Sequence, residues 1–361
     1  MAAKRALVCM SGGVDSTVAA WLLQRQGFEV EGITFWFWSF PGAPEYAGET
    51  KCCALDAAKL AAAELKIPHR TVDASDPFYR KVLSEFVDRY RAGQTPNPCG
   101  TCNRSLRFGL ALQIAEQDGF DVVATGHHVR IEKIADGSLG LFRGADPNKD
   151  QTYFLYGLRQ DDLKRLIFPI GGMSKDEVRE IAVRERLSSA KLPESQDLCF
   201  AWHGNADFLF AEKDLAPGPI VDREGNVLGQ HRGLIRYTLG QRRGLGIAST
   251  APLYVVAIDP ERNTLVVGRE DDLLSQGLVA GDATYLAAQP EEGSKLHVKI
   301  RYRTPAVPAT YEPVSPTQFR VRFAEPQRAV TPGQIAALYN GDQLLGGGII
   351  EQVLPMDDRS G

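Results

Sequence analysis

The sequence contains few cysteines and no long apolar segment. Only six of the 361 residues are cysteine, at positions 9, 52, 53, 99, 102 and 199. This number is too small for a chain of this length to depend on disulfides, which excludes a disulfide-stabilised secreted scaffold. No run of about 18 apolar residues occurs, so the sequence predicts no membrane-spanning helix and no membrane partner. The expected location is the cytoplasm.

The sequence also lacks an excess of charge of either sign. It has 41 basic and 45 acidic residues, with a formal net charge of −4. The strongly basic balance typical of nucleic-acid-binding proteins is therefore absent, and any RNA-binding surface must be local. Hydrophobic residues make up 43% and charged residues 24%, as in an ordinary globular protein, and the length suffices for two or three domains.

The first half of the sequence alternates between strand-like and helix-like patterns. Arg5 to Met10 predicts a buried strand rather than a signal peptide, and a helix is expected from about Asp15 to Gln26. Further strands are predicted in "EVEGITFWFW", "HRTVD" and "DVVATG", and helices in "CCALDAAKLAAAELK" and "PFYRKVLSEFVDRYRAG". This alternation predicts an α/β fold with a doubly wound parallel sheet.

After about residue 205 the pattern changes to short β segments. "GPIVD", "LIRYTLG", "LYVVAID" and "TLVVG" predict a small central domain, and "KLHVKIRYR", "FRVRFA", "QIAALYNG" and "LLGGGII" predict a C-terminal antiparallel β-barrel. We expect a catalytic domain at 1–204, a central β-rich domain at 205–269 and the barrel at 270–361.

A glycine-rich loop joins the first predicted strand to the first predicted helix. Its residues are Met10, Ser11, Gly12, Gly13, Val14, Asp15, Ser16 and Thr17. Glycines let backbone N–H groups approach a ligand, and a helix N-terminus favours an anion. Asp15 would repel a phosphate unless Mg²⁺ lay between them. The loop is not a Walker A motif, and a plain strand-to-helix turn is the alternative.

The cysteines allow several interpretations. Cys99 and Cys102 have the spacing of half a zinc site or of a redox pair. Cys199 alone would usually be a buried structural thiol, and Cys9, on a strand, is expected in the core. Cys52 and Cys53 are adjacent and poorly spaced to bind one metal ion together.

Ser11 to Ser16, "SGGVDS", resembles the PP-loop of the N-type ATP pyrophosphatases. Further segments, among them "TPNPCGTCNRSLRFG", "ATGHHVR", "RGADPNKDQTYFLYGL", "PESQDLCF", "YTLGQRRGLGI" and "YNGDQLLGGGIIE", occur in the same order as in the tRNA-specific 2-thiouridylase family. The resemblance runs from about residue 6 to about 351.

The resemblance implies an ATP-dependent sulfurtransferase that converts the C2 carbonyl of the wobble uridine in tRNA for lysine, glutamate and glutamine into a thiocarbonyl. ATP, with Mg²⁺, would adenylate the oxygen, and AMP and pyrophosphate would be released. Cys199 would carry a persulfide, and Cys102 would be its partner and form a transient disulfide with it. Both thiols then need a depressed pKa, for which Arg104 and Lys191 are candidate cations.

The resemblance also assigns binding residues. It places Phe35 and Gly126, with the loop, at the nucleotide. It places at the tRNA Asn97, Pro98, Cys99, His127, Lys149, Asp150, Gln151, Arg301, Tyr302 and Gln334. The implied partners are the anticodon arm of tRNA and a sulfur donor, either a cysteine desulfurase or a relay protein, and the chain is expected to be a monomer.

Three interpretations of Cys99 stay open, because members of the family have either aspartate or cysteine there. It could form a wall for the target base through the Asn97-Pro98-Cys99 turn, or be a spare thiol that pairs with Cys102. Alternatively, Cys99, Cys102 and Cys199 could ligate an iron–sulfur cluster that delivers sulfide.

Two basic runs without acidic residues favour contact with RNA. One holds Arg232, Arg236, Arg242 and Arg243. In the other, Lys299, Arg301 and Arg303 would share one face of a strand. The aromatic run from Phe35 to Phe40 departs from the family pattern and is expected to form core and pocket wall.

Two other functions compete with thiolation. Another PP-loop ligase would adenylate a small metabolite and would not need Cys102 or Cys199. A non-catalytic tRNA-binding protein with a zinc-stabilised Cys-x-x-Cys would bind zinc and would not turn over ATP.

Overall fold

The computed structural model describes residues 3–39, 55–193, 198–201, 206–286 and 288–356. Cys52, Cys53 and Phe40 lie outside these ranges, so the expectations for them are not addressed. The first part of the chain contains strands β1 (Arg5–Cys9), β2 (Glu29–Trp36), β3 (His69–Asp73), β4 (Val122–Thr125), β5 (Val129–Lys133), β6 (Leu139–Arg143) and β7 (Leu166–Ile167). Its helices are α1 (Val14–Arg25), α2 (Leu55–Leu65), α3 (Ser75–Phe78), α4 (Ser84–Arg91), α5 (Pro98–Cys102), α6 (Phe108–Gln117), α7 (Gln160–Leu163) and α8 (Lys175–Arg184).

Five of these strands form a parallel sheet in the order β3-β2-β1-β4-β7. Ala6, Leu7 and Val8 in β1 are fully buried, as expected of a strand covered on both faces. Helices α1, α2 and α8 supply one apolar cluster, and α3, α4 and α6 pack in another that includes the other face of β1. The predicted doubly wound sheet is confirmed.

Two short π-helical segments interrupt the helical regions. Tyr79–Leu83 lies between α3 and α4, and Asn103–Arg107 lies between α5 and α6. A π turn inserts one residue into the helical ladder and rotates the following side chains. Helix α5, the π-helical segment Asn103–Arg107 and α6 follow one another without a break.

The central domain is a four-stranded sheet in the order β10-β11-β8-β9. Its strands are β8 (Gly218–Val221), β9 (Val227–His231), β10 (Tyr254–Asp259) and β11 (Thr264–Gly268). The strand predicted for "LIRYTLG" is wrong, because Leu234–Arg236 forms a 3-10 turn instead. Gly233 and Gly240, with φ of +100° and +81°, bend the backbone on either side of this segment.

Six antiparallel strands form the C-terminal barrel. They are β12 (Leu274–Tyr285), β13 (Lys295–Lys299), β14 (Val307–Ser315), β15 (Gln318–Arg328), β16 (Ile335–Asn340) and β17 (Gln343–Pro355). Pairing of β12 with β17 closes the barrel. The β5–β6 hairpin of the first domain extends the same sheet, with Leu141 opposite Leu344.

The single strand face predicted for Lys299, Arg301 and Arg303 is wrong. Strand β13 ends at Lys299, and Arg301 and Arg303 lie in the following turn, where Thr304 N donates to Arg301 O at 3.3 Å. Pro305, immediately after this turn, cannot donate a ladder hydrogen bond. Among the residues with described positions, no helix is long and apolar enough to cross a membrane.

Candidate active site

The glycine-rich loop follows the C-terminal end of β1, which is the central strand of the sheet and lies between β2 and β4. Gly12 has φ of +76°, and a Cβ there would lie 2.6 Å from Ala57 Cβ. A Cβ on Gly126, after β4, would lie 2.6 Å from the backbone of Asp15. These two positions therefore require glycine, because the loop is enclosed by α2 on one side and by the β4 loop on the other.

Hydroxyl groups within the loop fix its shape. Ser16 Oγ accepts from Ser11 N at 3.2 Å and donates to Gly13 O at 3.1 Å, and Thr17 Oγ1 donates to Gly13 O at 2.9 Å. Gly13 is the N-cap of α1 and has no side chain to bind the first N–H groups of the helix. These groups are available to an anion, which the helix dipole also favours.

A cleft opens at this loop. It is lined by Cys9, Met10, Ser11, Asp15, Ser16, Ile33, Thr34, Phe35, Phe37, Arg107, Thr125, Gly126, His127 and Gln151. The predicted nucleotide residue Phe35 thus forms part of the wall, together with Phe37. Trp38 is buried and packs against Phe208, with ring centroids 6.4 Å apart. The expectation that the aromatic run forms core and pocket wall is met for these residues.

Asp15 is held by two basic side chains that the sequence patterns did not indicate. Lys175 Nζ lies 2.6 and 2.7 Å from the two carboxylate oxygens, and His128 Nε2 lies 3.3 Å from Oδ1. Burial opposes ionisation of Asp15, but the hydrogen bonds and charges of His128 and Lys175 outweigh it and lower its pKa. Lys175 is nearly buried at the start of α8, which a capping box between Ser174 and Glu177 fixes.

His127 forms a buried wall of the cleft. Its Nδ1 lies 2.7 Å from Thr125 Oγ1, and its ring packs against Phe108 and Phe168. Burial, with the nearby charges of Arg107 and His128, lowers the His127 pKa to about 3, so the imidazole is neutral at physiological pH. Arg107 brings a cation to the same cleft and was also not indicated by the sequence.

The predicted catalytic residue Cys102 ends helix α5. Asn97 caps this helix, with its Oδ1 accepting from Gly100 N at 3.2 Å, and Pro98 occupies the first turn. Cys99 is exposed, whereas Cys102 is buried. The two cysteines of the motif therefore lie in different environments, one in contact with solvent and one in the apolar core.

Cys102 and Cys199 are both associated with one large apolar cluster. Cys102 belongs to the apolar cluster that also contains Phe35 and Phe37, and Cys199 packs against that cluster. Buried Phe200, next in sequence, packs edge-on against Phe86 with centroids 4.9 Å apart. This contact anchors the short described segment 198–201.

The candidate cation Arg104 takes part in an ion pair, and a depressed pKa of Cys102 or Cys199 stays a prediction. In the described part of the chain, no group of three or more His, Cys, Asp or Glu side chains is placed to hold a metal ion. Arg104 pairs with Asp282 at 3.0 Å, and Cys9, at the end of β1, is buried enough to raise its pKa to about 11.

Several residues assigned to tRNA by resemblance make contacts inside the chain. Asp150 is buried and accepts from Thr152 Oγ1 at 2.8 Å, and Gln151 Oε1 accepts from His128 N at 3.0 Å. Lys149 is half-buried and Pro98 is buried. The structure brings Gln151, His127 and the loop into one cleft, and their contact with RNA stays a prediction.

The assigned residues of the barrel likewise have partners within the protein. Arg301 Nη2 donates to Leu239 O, Ala329 O and Thr331 Oγ1 and so ties the central domain to the barrel. The ring of Tyr302 packs 4.5 Å from that of Phe154. Gln334 Nε2 donates to Thr95 O at 2.7 Å.

Three family models together match almost the whole chain. They are described as a tRNA methyl transferase HUP domain at residues 4–203, a tRNA methyl transferase PRC-barrel domain at 206–269 and an aminomethyltransferase beta-barrel domain at 275–350. Their order agrees with the parallel sheet, the small central sheet and the closed barrel.

Full-length relatives show the same relationship. The chain is 46% identical to a tRNA-specific 2-thiouridylase MnmA of Geobacter metallireducens, over 98% of each chain. It is also 46% identical to that of Thermus thermophilus, over 97% of this chain and 96% of the other. A solved 4-thiouridine synthetase–RNA complex with bound ATP matches at 21% identity over 50% of this chain and 40% of the other, with a TM-score of 0.35. The chain therefore belongs to the tRNA-specific 2-thiouridylase family.

Proposed function

We propose that the protein catalyses ATP-dependent 2-thiolation of the wobble uridine in tRNA for lysine, glutamate and glutamine. The observation that carries this proposal is that the wall of the cleft and the two cysteines belong to the packing of one apolar cluster. One apolar cluster supplies Phe35 and Phe37 to the wall of the cleft, contains Cys102 and packs against Cys199. An anion-binding loop and two thiols on one cluster suit a reaction that first activates an oxygen and then replaces it by sulfur.

In the first half-reaction, the C2 oxygen of the uridine attacks the α-phosphorus of ATP and pyrophosphate leaves. The loop backbone, the first turn of α1 and the Arg107 guanidinium are suited to stabilise the negative charge that develops on the phosphates. The donor set fits Mg²⁺ in part, because Asp15 offers one carboxylate and Mg²⁺ takes further ligands from phosphate and water. Mg²⁺ would neutralise phosphate charge. Lys175, already bound to Asp15, supplies a resident cation there.

In the second half-reaction, the terminal sulfur of a Cys199 persulfide attacks C2, and AMP leaves with the electron pair of the C–O bond. The Cys102 thiolate then attacks the inner sulfur of Cys199. A Cys102–Cys199 disulfide forms, and 2-thiouridine is released with the electrons of the broken S–S bond. An external thiol reductant must restore the two thiols. Alternatively, Cys102 attacks the persulfide first, and the released sulfide attacks C2.

An iron–sulfur version of the reaction does not fit the described residues. Cys99 is exposed while Cys102 is buried, and no three candidate ligands converge in the regions that the structure describes. No step is therefore assigned to a cluster. This arrangement favours the interpretation of Cys99, with Asn97 and Pro98, as a wall for the target base.

The proposal extends to partners, location and domain limits. We infer that the anticodon arm binds across the cleft and the barrel, and that a cysteine desulfurase or relay protein delivers the sulfur. A monomer in the cytoplasm is proposed, where reduced thiols can turn over. Limits at 1–204, 205–269 and 270–361 are supported by the separate sheets, although the β5–β6 hairpin joins the barrel in space.

Mass spectrometry of the protein and of the tRNA tests this function. After loading with a desulfurase and cysteine, intact-protein and peptide masses should show one extra sulfur on Cys199, and Cys199→Ala should remove it. Cys102→Ala should still carry the persulfide but should not complete catalytic cycles. Cys9→Ala is the control for persulfide loading only, because its buried thiol lines the cleft but has no assigned step in sulfur transfer. Full thiolation by both the Cys102 and Cys199 variants would refute the proposal.

A further inference from the structure

The barrel contacts the cysteine-bearing segment through a short loop. We call residues 331–335, "TPGQI", the barrel loop, and residues 94–102, "QTPNPCGTC", the cysteine segment. Both backbone groups of Thr95 bond to the barrel loop, since its N–H donates to Pro332 O at 2.9 Å and its C=O accepts from Gln334 Nε2 at 2.7 Å. Gln334 and Thr95 are 239 positions apart in the sequence, so only the tertiary fold creates this contact.

Close backbone packing reinforces these two hydrogen bonds. Gly333 has φ of +92°, and a Cβ there would lie 2.9 Å from the carbonyl carbon of Thr95. Gly100, inside α5, faces the barrel loop as well, because its Cβ would lie 2.6 Å from Ile335 Cδ1. The loop therefore touches the cysteine segment at its start and within its helix.

The barrel loop is itself fixed. Gly333 N donates to Ile350 O and Ile350 N donates to Gln334 O, both at 2.8 Å, which anchors the loop to β17. Tyr153 Oη donates to Ile335 O at 3.2 Å. The loop is thus a firm support and not a mobile contact.

The cysteine segment is stiff between Thr95 and α5. Pro96 and Pro98 each fix their own φ, and each disfavours the helical conformation for the residue before it. Asn97, between them, is extended, with φ of −106° and ψ of 94°, and its side chain caps α5. Few soft torsions remain to absorb a displacement, so a shift at Thr95 is transmitted to Cys102.

We propose that the barrel loop positions Cys102 for sulfur transfer and that Gln334 is the positioning residue. This inference rests on the proposed function of Cys102. The resemblance assigns Gln334 to tRNA, whereas in the structure its side-chain amide donates a hydrogen bond to Thr95 O. The C-terminal barrel would then set the place of a catalytic residue in another domain, in addition to any contact with RNA.

Gln334→Met tests the proposal, because methionine keeps the length of the side chain and removes the donor. We expect the single-turnover rate of sulfur transfer from preloaded Cys199 persulfide, at saturating tRNA and ATP, to fall roughly 10- to 100-fold. The tRNA Kd and the rate of tRNA-dependent ATP–pyrophosphate exchange should change less than about twofold, within what a surface change produces. Gln318→Met is the matched control on the same barrel, since the Gln318 side-chain amide donates to Glu351 at the surface.

A second variant reaches the same contact without touching the amide. Gly333→Ala should push Thr95 away and reproduce the defect in sulfur transfer with tRNA affinity retained. A raised Kd with a normal rate at saturating tRNA would overturn the proposal in favour of a direct RNA contact. Normal rates in both variants would overturn it too.

Peptide-resolved alkylation of Cys102 separates this inference from the proposed function. Without tRNA or ATP, Gln334→Met should be alkylated faster at Cys102 than the wild type, because the buried thiol loses its support. If the wild type makes no 2-thiouridine, the proposed function fails whatever the alkylation rates are. If Cys102 is alkylated at the same rate in Gln334→Met and in the wild type, the positioning contact is excluded.

Discussion

At the scale of single residues, the nucleotide cleft depends on charges that come from distant parts of the sequence. Asp15 is recognisable from the loop, but its partner Lys175 is 160 positions away and His128 is 113 positions away. A residue pattern reports local spacing and cannot show which lysine a fold brings to a carboxylate. Lys175 lies in an ordinary capped helix start, so nothing in its local sequence distinguished it.

Lys175→Met should impair activation of the uridine. It removes the buried cation beside Asp15, so that the carboxylate repels the phosphates more strongly. We expect tRNA-dependent ATP–pyrophosphate exchange to slow about 10²-fold or more, as when one charge-stabilising donor is removed from an active site. Lys164→Met, in an exposed pair with Asp161, is the control. An ATP–pyrophosphate exchange rate in Lys175→Met equal to that of the wild type would show that the Lys175–Asp15 pair is only structural.

His127 should make the folded protein sensitive to acid. In the unfolded chain the imidazole binds a proton below its ordinary pKa of 6.5, and in the folded protein only below about 3. Between these values the unfolded state holds more protons, so the free energy of unfolding falls as the pH falls, by up to about 1.4 kcal/mol per pH unit. Asp15 adds a further loss only at lower pH, as its carboxylate protonates.

His127→Gln should flatten that dependence, because glutamine does not titrate. The measurement is urea unfolding at several pH values between about 6.5 and 4, a range in which the unfolded histidine gains its proton. The exposed His297, changed to Gln, is the control and should leave the slope as in the wild type. An equal slope in His127→Gln and wild type would mean that other groups cause the loss.

At the scale of elements, strands and helices with strong patterns were predictable, and their long-range pairing was not. The loop, β1 to β4, α1 and α2 follow from apolar spacing and glycine positions. The short β-like patterns of "LIRYTLG" and of "KLHVKIRYR" predict strands. Glycines with positive φ around the first segment prevent its strand from forming, and Pro305 after the second limits its strand to Lys295–Lys299, because backbone conformation overrides side-chain propensity.

The β5–β6 hairpin is the element whose place the sequence concealed. Its strands follow the cleft residues His127 and His128, yet β6 pairs with β17 of the barrel. Arg143 at its end lies over the Tyr339 ring, 4.6 Å from its centroid. The hairpin therefore joins the cleft to the barrel, and a linear division into domains cannot represent it.

Leu141→Ala should destabilise both halves together. Leu141 is fully buried opposite Leu344, and a Leu-to-Ala change in a core costs about 2 to 5 kcal/mol. We expect urea midpoints to fall by the same amount for a probe in the first domain and one in the barrel. Leu228→Ala, at an exposed site on β9, is the control. A shift of only one midpoint would show that the hairpin does not couple the two parts.

At the scale of the whole molecule, specific side-chain contacts join the three domains. The parallel sheet carries the cleft, Arg301 ties the central domain to the barrel, and the barrel loop supports the segment that ends at Cys102. The sequence indicated the family, the sheet and the barrel because their motifs are local. The supports around Cys102 could not be predicted, since each depends on backbone groups far apart in the chain.

The most direct test of the account is reconstitution with a single unmodified glutamate tRNA. The protein, loaded with persulfide sulfur, is incubated with Mg²⁺ and with or without ATP, and nucleosides and AMP are quantified by mass spectrometry. We predict 2-thiouridine at the wobble position only with ATP, and one AMP for each thiolated base. ATP cleavage without thiolation, or thiolation that does not need ATP, would contradict the account.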